Sequence, residues 1–150
     1  EEEEDDDFLE DGADTVRANV SEVKSPKFGT SRGKKGFKFS ITMDNYSGVR
    51  LPVILISSCS INGVSISGEV ENGYNLPAGN VASTSKPIFI PLSGSRALRR
   101  VNNAKENGDD VTCNFELLNG EEDTLSSMEA DITWDGRKWV VSDTRNDFEE

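Results

Sequence analysis

Short segments that alternate apolar and polar residues, separated by Asx-Gly steps, constrain the fold of this chain more than any other feature. The clearest segment is GFKFSITM at 36–43, in which every second side chain is apolar. A period of two is that of a β-strand with one buried face. Asx-Gly steps begin at 62, 72, 107, 119 and 135, where they supply turns between such segments. The sequence therefore predicts an antiparallel all-β domain.

The spacing of these segments predicts a particular architecture. Strand-like patterns lie at 15–23, 36–43, 49–57, 59–70, 86–92, 110–118, 127–134 and 137–143. One segment, SRALRRVNNAKE at 95–106, has helical spacing instead, with Ser93 or Ser95 as a cap and Gly108 just past its end. Seven to eight strands with one short helix are typical of an immunoglobulin-like (Ig-like) β-sandwich.

The same alternation predicts which side chains form the core. The segment 110–118 points Val111, Cys113, Phe115 and Leu117 inward. The segment 49–57 is apolar on both faces, as in a strand that is covered on both sides. The side chains expected to be largely buried are Phe39, Ile41, Ile54, Ile56, Phe115, Ile132, Trp134 and Trp139.

The last two predicted strands form a hairpin that carries both tryptophans of the chain. If Asp135-Gly136 is a two-residue turn, Trp134 lies opposite Arg137, and Ile132 lies opposite Trp139. Both tryptophans then share one apolar face with Ile132. Large aromatic side chains on such a face usually belong to the core. A surface platform for sugar is the alternative interpretation.

Charge divides the chain into three parts. Residues 1–14 contain ten acids and no Lys or Arg, which predicts a disordered arm or linker. A spacer is the simplest interpretation of this arm, and a binding arm for a basic partner is the alternative. Residues 15–143 form the predicted β-sandwich domain, and residues 144–150 form an acidic C-terminal tail.

One basic run, SPKFGTSRGKKGFK at 25–38, contrasts with the net charge of −12. A run of like charge is usually a solvated loop, although this one could contact an anion. The acidic chain as a whole repels nucleic acid at long range. We therefore expect no nucleic-acid partner.

Several chemistries are excluded by the residues themselves. The chain has no histidine, so Ser-His-Asp and Cys-His catalysis and His-ligated metal or haem sites cannot form. No phosphate-binding or dinucleotide-binding motif occurs either. We predict no catalytic residues and no cofactor. The longest apolar run, LPVILI at 51–56, is strand length, so we also expect no transmembrane span.

Two groups of residues are weak candidates for a structural or binding role. Cys59 and Cys113 lie 54 residues apart in predicted strands, where they could form a disulfide between the two sheets or remain two buried thiols. Two acidic loops cluster the oxygen ligands that calcium prefers, without the spacing of an EF-hand. The calcium candidates are Asp109, Asp110, Glu121, Glu122 and Asp123.

The run from Phe37 to Leu92 resembles a known kind of domain. The strand that ends in MDNYSG, the buried strand LPVILISSCS, the turn INGVSISG, the run YNLPAGNVAS and the strand KPIFIPL follow one another in that order. This order of strands and turns resembles that of the small Ig-like ectodomains of uncharacterised bacterial surface lipoproteins. The resemblance implies a cell-envelope or extracellular location after removal of a signal peptide. It also implies that the acidic arm is the linker to a lipid anchor upstream of Glu1.

Two functions of different classes follow from these observations. The first is a non-catalytic cell-surface or secreted β-sandwich that acts as a binding or structural module, with a protein or cell-envelope component as ligand. The second is an acidic intracellular chaperone or interaction domain for basic proteins, since nucleoplasmin-like chaperones also join a β-fold to acidic tracts. That likeness is architectural only.

Overall fold

Two antiparallel β-sheets and one helix make up the part of the chain that the computed structural model describes, residues 18–78 and 82–146. The elements are β1 (Ala18–Ser31), β2 (Lys34–Asn45), β3 (Leu51–Ile61), β4 (Val64–Ser65), β5 (Val70–Leu76), β6 (Ala82–Pro91), α1 (Ser95–Asn107), β7 (Val111–Asn119), β8 (Thr124–Trp134) and β9 (Trp139–Asn146). Within these residues the predicted, predominantly β fold with one helix is confirmed, and nine strands are observed rather than the predicted seven to eight. The predicted acidic arm at 1–14 lies outside the described residues, as do residues 147–150 of the predicted tail.

The strands are divided unequally between the sheets. The smaller sheet has the order β1-β2-β6, and the larger has the order β4-β3-β7-β8-β9, with β5 also paired to β3. β4 and β5 pair with opposite ends of β3, at Ser60–Ile61 and Leu51–Ser57. β1 contacts β7, β8 and β9 of the larger sheet. The edge strand β1 of one sheet therefore lies beside the edge strand β9 of the other.

The inner faces of the two sheets form the core as the alternation predicts. On β2 the side chains of Phe37, Phe39, Ile41 and Met43 are all buried. On β7 the inward residues at 111, 113, 115 and 117 are fully buried. The rings of Phe39 and Phe115 meet edge to face across the core, with their centroids 5.4 Å apart. Burying each large apolar side chain stabilises the fold by about 1.5–3 kcal/mol.

The prediction that β3 is covered on both faces is wrong. Val53 and Leu55 face the core and are buried, whereas Ile54 and Ile56 lie on the outer face and are only half-buried. Successive residues of a strand point to opposite faces, and the second sheet packs on one of them. The expected burial of Ile54 and Ile56 is therefore not observed.

The basic run at 25–38 is a β-hairpin, and its interpretation as a solvated loop is wrong. β1 continues to Ser31, and β2 begins at Lys34 directly opposite it. Arg32 and Gly33 form the two-residue turn with positive φ angles of 53° and 80°. Such φ values at both central positions define the tight turn that matches the twist of a hairpin. Phe28 then lies opposite Phe37 and packs against the core.

Of the two predicted caps of helix α1, only the C-terminal one is observed. Gly108 adopts the left-handed conformation and caps the C-terminus, as predicted. The N-terminal cap is Gly94, without a side-chain hydrogen bond, rather than Ser93 or Ser95. Ala97, Val101 and Ala104 are buried on one face of the helix.

A buried asparagine organises the β2–β3 connection in the MDNYSG stretch. Asn45 is 0% exposed, and its Nδ2 donates hydrogen bonds to the carbonyls of Val49 (2.8 Å) and Pro77 (3.0 Å). Its Oδ1 accepts hydrogen bonds from the backbone N–H and the hydroxyl of Ser47. One side chain thus joins the turn after β2 to the end of β5. Because its polar atoms are satisfied, Asn45 can be buried without a large desolvation cost.

Candidate ligand-binding groove

The turn between β8 and β9 positions both tryptophans at one end of the sandwich. The Oδ1 atom of Asp135 accepts hydrogen bonds from the backbone N–H groups of Arg137 (2.8 Å) and Lys138 (2.9 Å). These two bonds hold a four-residue turn, so Trp134 pairs with Trp139. The predicted pairing of Trp134 with Arg137 is wrong by two residues. A shift of two leaves every side chain on its predicted face.

The two tryptophans occupy different environments. Trp139 is buried in the core, where its ring meets Phe37 edge to face at 5.4 Å. Trp134 is half-buried, and its ring centroid lies 5.7 Å from that of Trp139. The Nζ atom of Lys105 lies 4.1 Å from the centroid of Trp134, within the range of a cation–π interaction. The expected burial is thus confirmed for Trp139 and not observed for Trp134.

A groove opens where β1, α1 and the start of β9 meet, and we call it the β1–β9 groove. It consists of two adjoining cavities of about 340 Å³ and 480 Å³, which share Pro26, Lys27, Lys138 and Trp139. A β-bulge interrupts the register of β1 between Lys24 and Lys27 at this point. Cavities of this size are typical of ligand sites in proteins.

Positive charge surrounds the groove. Its lining includes the five cations Lys24, Lys27, Lys105, Arg137 and Lys138, and within 18–78 and 82–146 no acidic side chain lines it. The Nζ atom of Lys24 lies 3.7 Å from the Oε1 atom of Glu22. For the other four cations, no carboxylate oxygen of the described residues lies within 4.0 Å of the charged nitrogen atoms. Lys27 also lies directly opposite Lys38 in the β1–β2 register. Like charges directly opposite each other destabilise a sheet, so a bound anion would reduce the repulsion between these two lysines.

Asp135, which follows Trp134 in the chain, is engaged by the β8–β9 turn. The backbone N–H groups of Lys138 and Arg137 hold the pKa of the Asp135 carboxyl below its usual value. Asp135 therefore remains ionised under mildly acidic conditions while it orients the turn.

The groove combines two means of recognition. Trp134 offers a half-buried aromatic ring for stacking, and the surrounding ammonium and guanidinium groups attract anions. No histidine exists to move a proton near neutral pH. The arrangement can hold a ligand both by charge and by contact with an aromatic ring.

Cys59 and Cys113 form a disulfide, with their Cα atoms 4.0 Å apart. The bridge joins directly opposed residues of β3 and β7 within the larger sheet. The expected position, with one cysteine on each sheet, is therefore wrong. β3 and β7 become neighbours because the intervening chain supplies β6 to the other sheet and then returns through α1.

The five calcium candidates are split between two places. Asp109 and Asp110 precede β7, whereas Glu121, Glu122 and Asp123 follow it. The nine residues of β7 separate the two groups by about 30 Å. In the described part of the chain, no three His, Cys, Asp or Glu side chains are grouped so that they could hold a metal ion. The two loops do not combine into one site.

The groove residues illustrate what sequence reasoning missed. The sequence predicts the Trp134–Trp139 pair, with a surface platform as the alternative, and a possible anion contact for the run that contains Lys27, but it gives Lys105 and Lys138 no role. Lys27 and Lys138 are 111 positions apart and meet only because β1 packs beside β9. The basic run at 25–38 was the available signal, since it supplies Lys27 and Phe28.

Comparisons with known proteins leave the chain without an assigned family. No family model matches it, and no curated protein matches it. A crystal structure of a protein from Archaeoglobus fulgidus is similar, with 14% identity over 87% of this chain and 97% of that chain, at a TM-score of 0.39. Among the helices of the described residues, none has both the length and the apolar character needed to cross a membrane.

Proposed function

We propose that this chain is a non-catalytic β-sandwich module of the bacterial cell surface or of a secreted protein, and that it binds its ligand in the β1–β9 groove. The observation that carries the proposal is the groove itself, where the half-buried Trp134 lines the same cavity as four cations, none of which lies within 4.0 Å of a carboxylate of the described residues. Cations that have no ion-pair partner among the described residues, beside a half-buried aromatic ring, contribute more to recognition than to stability.

The order of the strands supports an Ig-like assignment within this proposal. An Ig constant-type domain places strands A, B, E and D in one sheet and C, F and G in the other, and the smaller sheet described here has no counterpart of D. The order β1-β2-β6 corresponds to A-B-E, and the order β3-β7-β8 corresponds to C-F-G. β5 then occupies the position of C′, and β9 is an additional strand. The disulfide differs, since it joins the counterparts of C and F within one sheet.

The disulfide supports a location outside the cytoplasm. Disulfides persist in oxidising compartments such as the cell surface and the periplasm, and are rare in the bacterial cytosol. The Cys59–Cys113 bridge is almost wholly buried, which suits a structural role. This location is also that of the lipoprotein ectodomains that the sequence resembles.

Tryptophan fluorescence tests the binding function directly, because the only two tryptophans of the chain line the groove. The full chain is titrated with poly-glutamate, an uncharged glucan oligosaccharide and poly-lysine while emission is followed. We expect poly-glutamate or the oligosaccharide to shift the emission, and Trp134→Ala to abolish the shift. Asn103→Ala, on the exposed face of α1, serves as the control.

The same titration distinguishes the acidic chaperone alternative. A chaperone for basic proteins would bind poly-lysine through its acidic segments, and binding would disappear at physiological ionic strength because exposed charges are screened. Binding of poly-lysine alone, detected by calorimetry and with unchanged tryptophan emission, would overturn the proposed groove function.

A further inference from the structure

The charge of the β1–β9 groove is opposite to that of the molecule. The chain carries a net charge of −12, yet the groove gathers five cations and, among the described residues, no lining acid. At physiological ionic strength the Debye length is about 8 Å, so charges farther than this from a ligand are largely screened. Only a ligand that enters the groove meets its local positive potential. This favours an anion that reaches into the groove over one that lies on the surface.

The floor of the groove adds an apolar requirement. Trp134 and Phe28 are half-buried, and both line the first cavity of the groove. Val23, Val140 and Val141 extend the apolar lining along the second cavity. An aromatic or branched aliphatic side chain would bury apolar area here, which simple inorganic anions cannot do. The ligand therefore combines negative charge with a bulky apolar group.

The walls of the groove favour an extended polymer with amide groups. In the larger sheet β9 pairs with β8 and with no other described strand, so one side of its backbone has no strand partner. Edge strands present free N–H and C=O groups to which an extended peptide can add. The bulge and Pro26 interrupt the facing edge of β1. β9 is therefore the better edge for such pairing.

We infer that the β1–β9 groove binds an acidic, extended peptide segment of a partner protein, with an apolar side chain placed against Trp134. This inference rests on the proposed binding function and names its partner class. Carboxylates of the peptide pair with Lys27, Lys105 and Lys138 at the rim of the groove. Its backbone runs along the start of β9. Nucleic acid and anionic membranes fit less well, because a large anionic surface meets the acidic remainder of the chain.

Four probes test this inference on the full chain by tryptophan emission. They are the acidic peptide EDEFLEDE, its basic counterpart KRKFLKRK, the serine analogue EDESSEDE and an oligogalacturonate, which is an anionic glycan. We expect EDEFLEDE to bind tightest, and EDESSEDE to bind several-fold more weakly because it lacks the apolar pair. Raising the salt from about 0.15 M to about 1 M should weaken the binding of EDEFLEDE, because the Debye length falls from about 8 Å to about 3 Å and the groove cations themselves become screened.

A matched pair of variants locates the binding. Lys105→Glu with Lys138→Glu should weaken the binding of EDEFLEDE by about tenfold or more, because two rim charges change sign. Arg50→Glu with Arg100→Glu changes the net charge by the same amount at exposed positions outside the groove. The control variant should change the affinity by less than about twofold. Equal losses in both variants would show a nonspecific charge effect and overturn the inference.

The remaining outcomes separate the inference from the proposed function. Binding of oligogalacturonate but not EDEFLEDE, with a shift in tryptophan emission, would overturn the peptide inference and leave the groove as a ligand site. Equal affinity for the acidic and basic peptides would overturn the charge argument. If the uncharged oligosaccharide alone shifts the emission, the inference also fails while the binding function stands. Absence of any emission change with all these probes would count against both.

Discussion

Single side chains in this structure act by connecting elements that are distant in sequence. Asn45 joins the turn after β2 to the end of β5, and Asp131 holds Arg145 on the outer face of the β8–β9 pair. In both cases the polar group is satisfied by several partners. Their removal therefore tests whether hydrogen bonds between elements contribute measurably to stability.

Replacing Asn45 by alanine should lower the free energy of unfolding by about 2–3 kcal/mol. The change leaves the carbonyls of Val49 and Pro77 without their donor, and loss of a buried partner costs about 1–3 kcal/mol per group. A urea titration measures the difference, with Asn103→Ala on the exposed face of α1 as the control. A loss below about 0.5 kcal/mol would contradict the role assigned to Asn45.

Asp131 should make stability depend on pH in one direction. Hydrogen bonds from Arg145, reinforced by that of Thr112, hold the pKa of Asp131 below its usual value, against the opposing effect of burial. Its contribution is therefore fully present above the unfolded pKa, near 3.9, and is lost as the pH falls through the lower folded pKa. Asp131→Asn should destabilise the fold by about 1 kcal/mol at pH 7.

The difference between wild type and Asp131→Asn should shrink as the pH falls below about 4. Urea is the denaturant to use, because it does not screen charge. Asp143→Asn is the control, since Asp143 is 62% exposed and contacts Arg145 through one bond. A difference that stays constant down to pH 2 would show that the ion pair contributes nothing to the effect.

At the scale of the elements, the alternation of apolar and polar residues predicted which face of a strand is buried better than it predicted how strands pair. On β2 and β7 every second residue is apolar, so the buried face could be read directly from the sequence. On β3 the continuous run LPVILI offers two apolar faces, and only the position of the second sheet determines which is buried. The turn at Asp135 was wrong by two residues, because its side-chain hydrogen bonds favour a longer loop.

Pairing between strands depends on the topology, which the local pattern does not contain. Cys59 and Cys113 were identified as partners, but their placement in one sheet follows from the adjacency of β3 and β7. The β1–β9 groove has the same origin, because its lining comes from β1, α1 and the β8–β9 turn. Such contacts between distant segments are the part of a fold that sequence periodicity leaves undetermined.

The disulfide should stabilise the larger sheet strongly. Replacing Cys59 and Cys113 together by alanine should lower the free energy of unfolding by about 4 kcal/mol, because the bridge closes a loop of 54 residues. Denaturant titration of the oxidised protein, the reduced protein and the double variant measures this effect. The reduced wild type and the double variant should unfold at similar denaturant concentrations. A loss below about 1 kcal/mol would contradict the stabilising role.

At the scale of the whole molecule, the account rests on a contrast of charge. A chain with a net charge of −12 and an acidic segment at 1–14 carries one groove in which cations surround an accessible tryptophan. If the groove were only a packing defect, we would not expect its local electrostatic potential to be positive in a chain whose net charge is negative. The sign of the potential at Trp134 is therefore the central claim.

Quenching of tryptophan fluorescence by iodide and by caesium measures that sign most directly. Acrylamide, which is uncharged, first establishes how accessible Trp134 is. At an ionic strength of about 0.15 M, where the field of the rest of the chain is screened beyond about 8 Å, iodide should quench the full chain more strongly than caesium, because Lys27, Lys105 and Lys138 concentrate anions at the half-buried ring. Lys105→Glu with Lys138→Glu should remove or reverse that preference. If caesium quenches the wild-type chain as well as iodide or better, the potential at the groove is not positive, and the central claim is wrong.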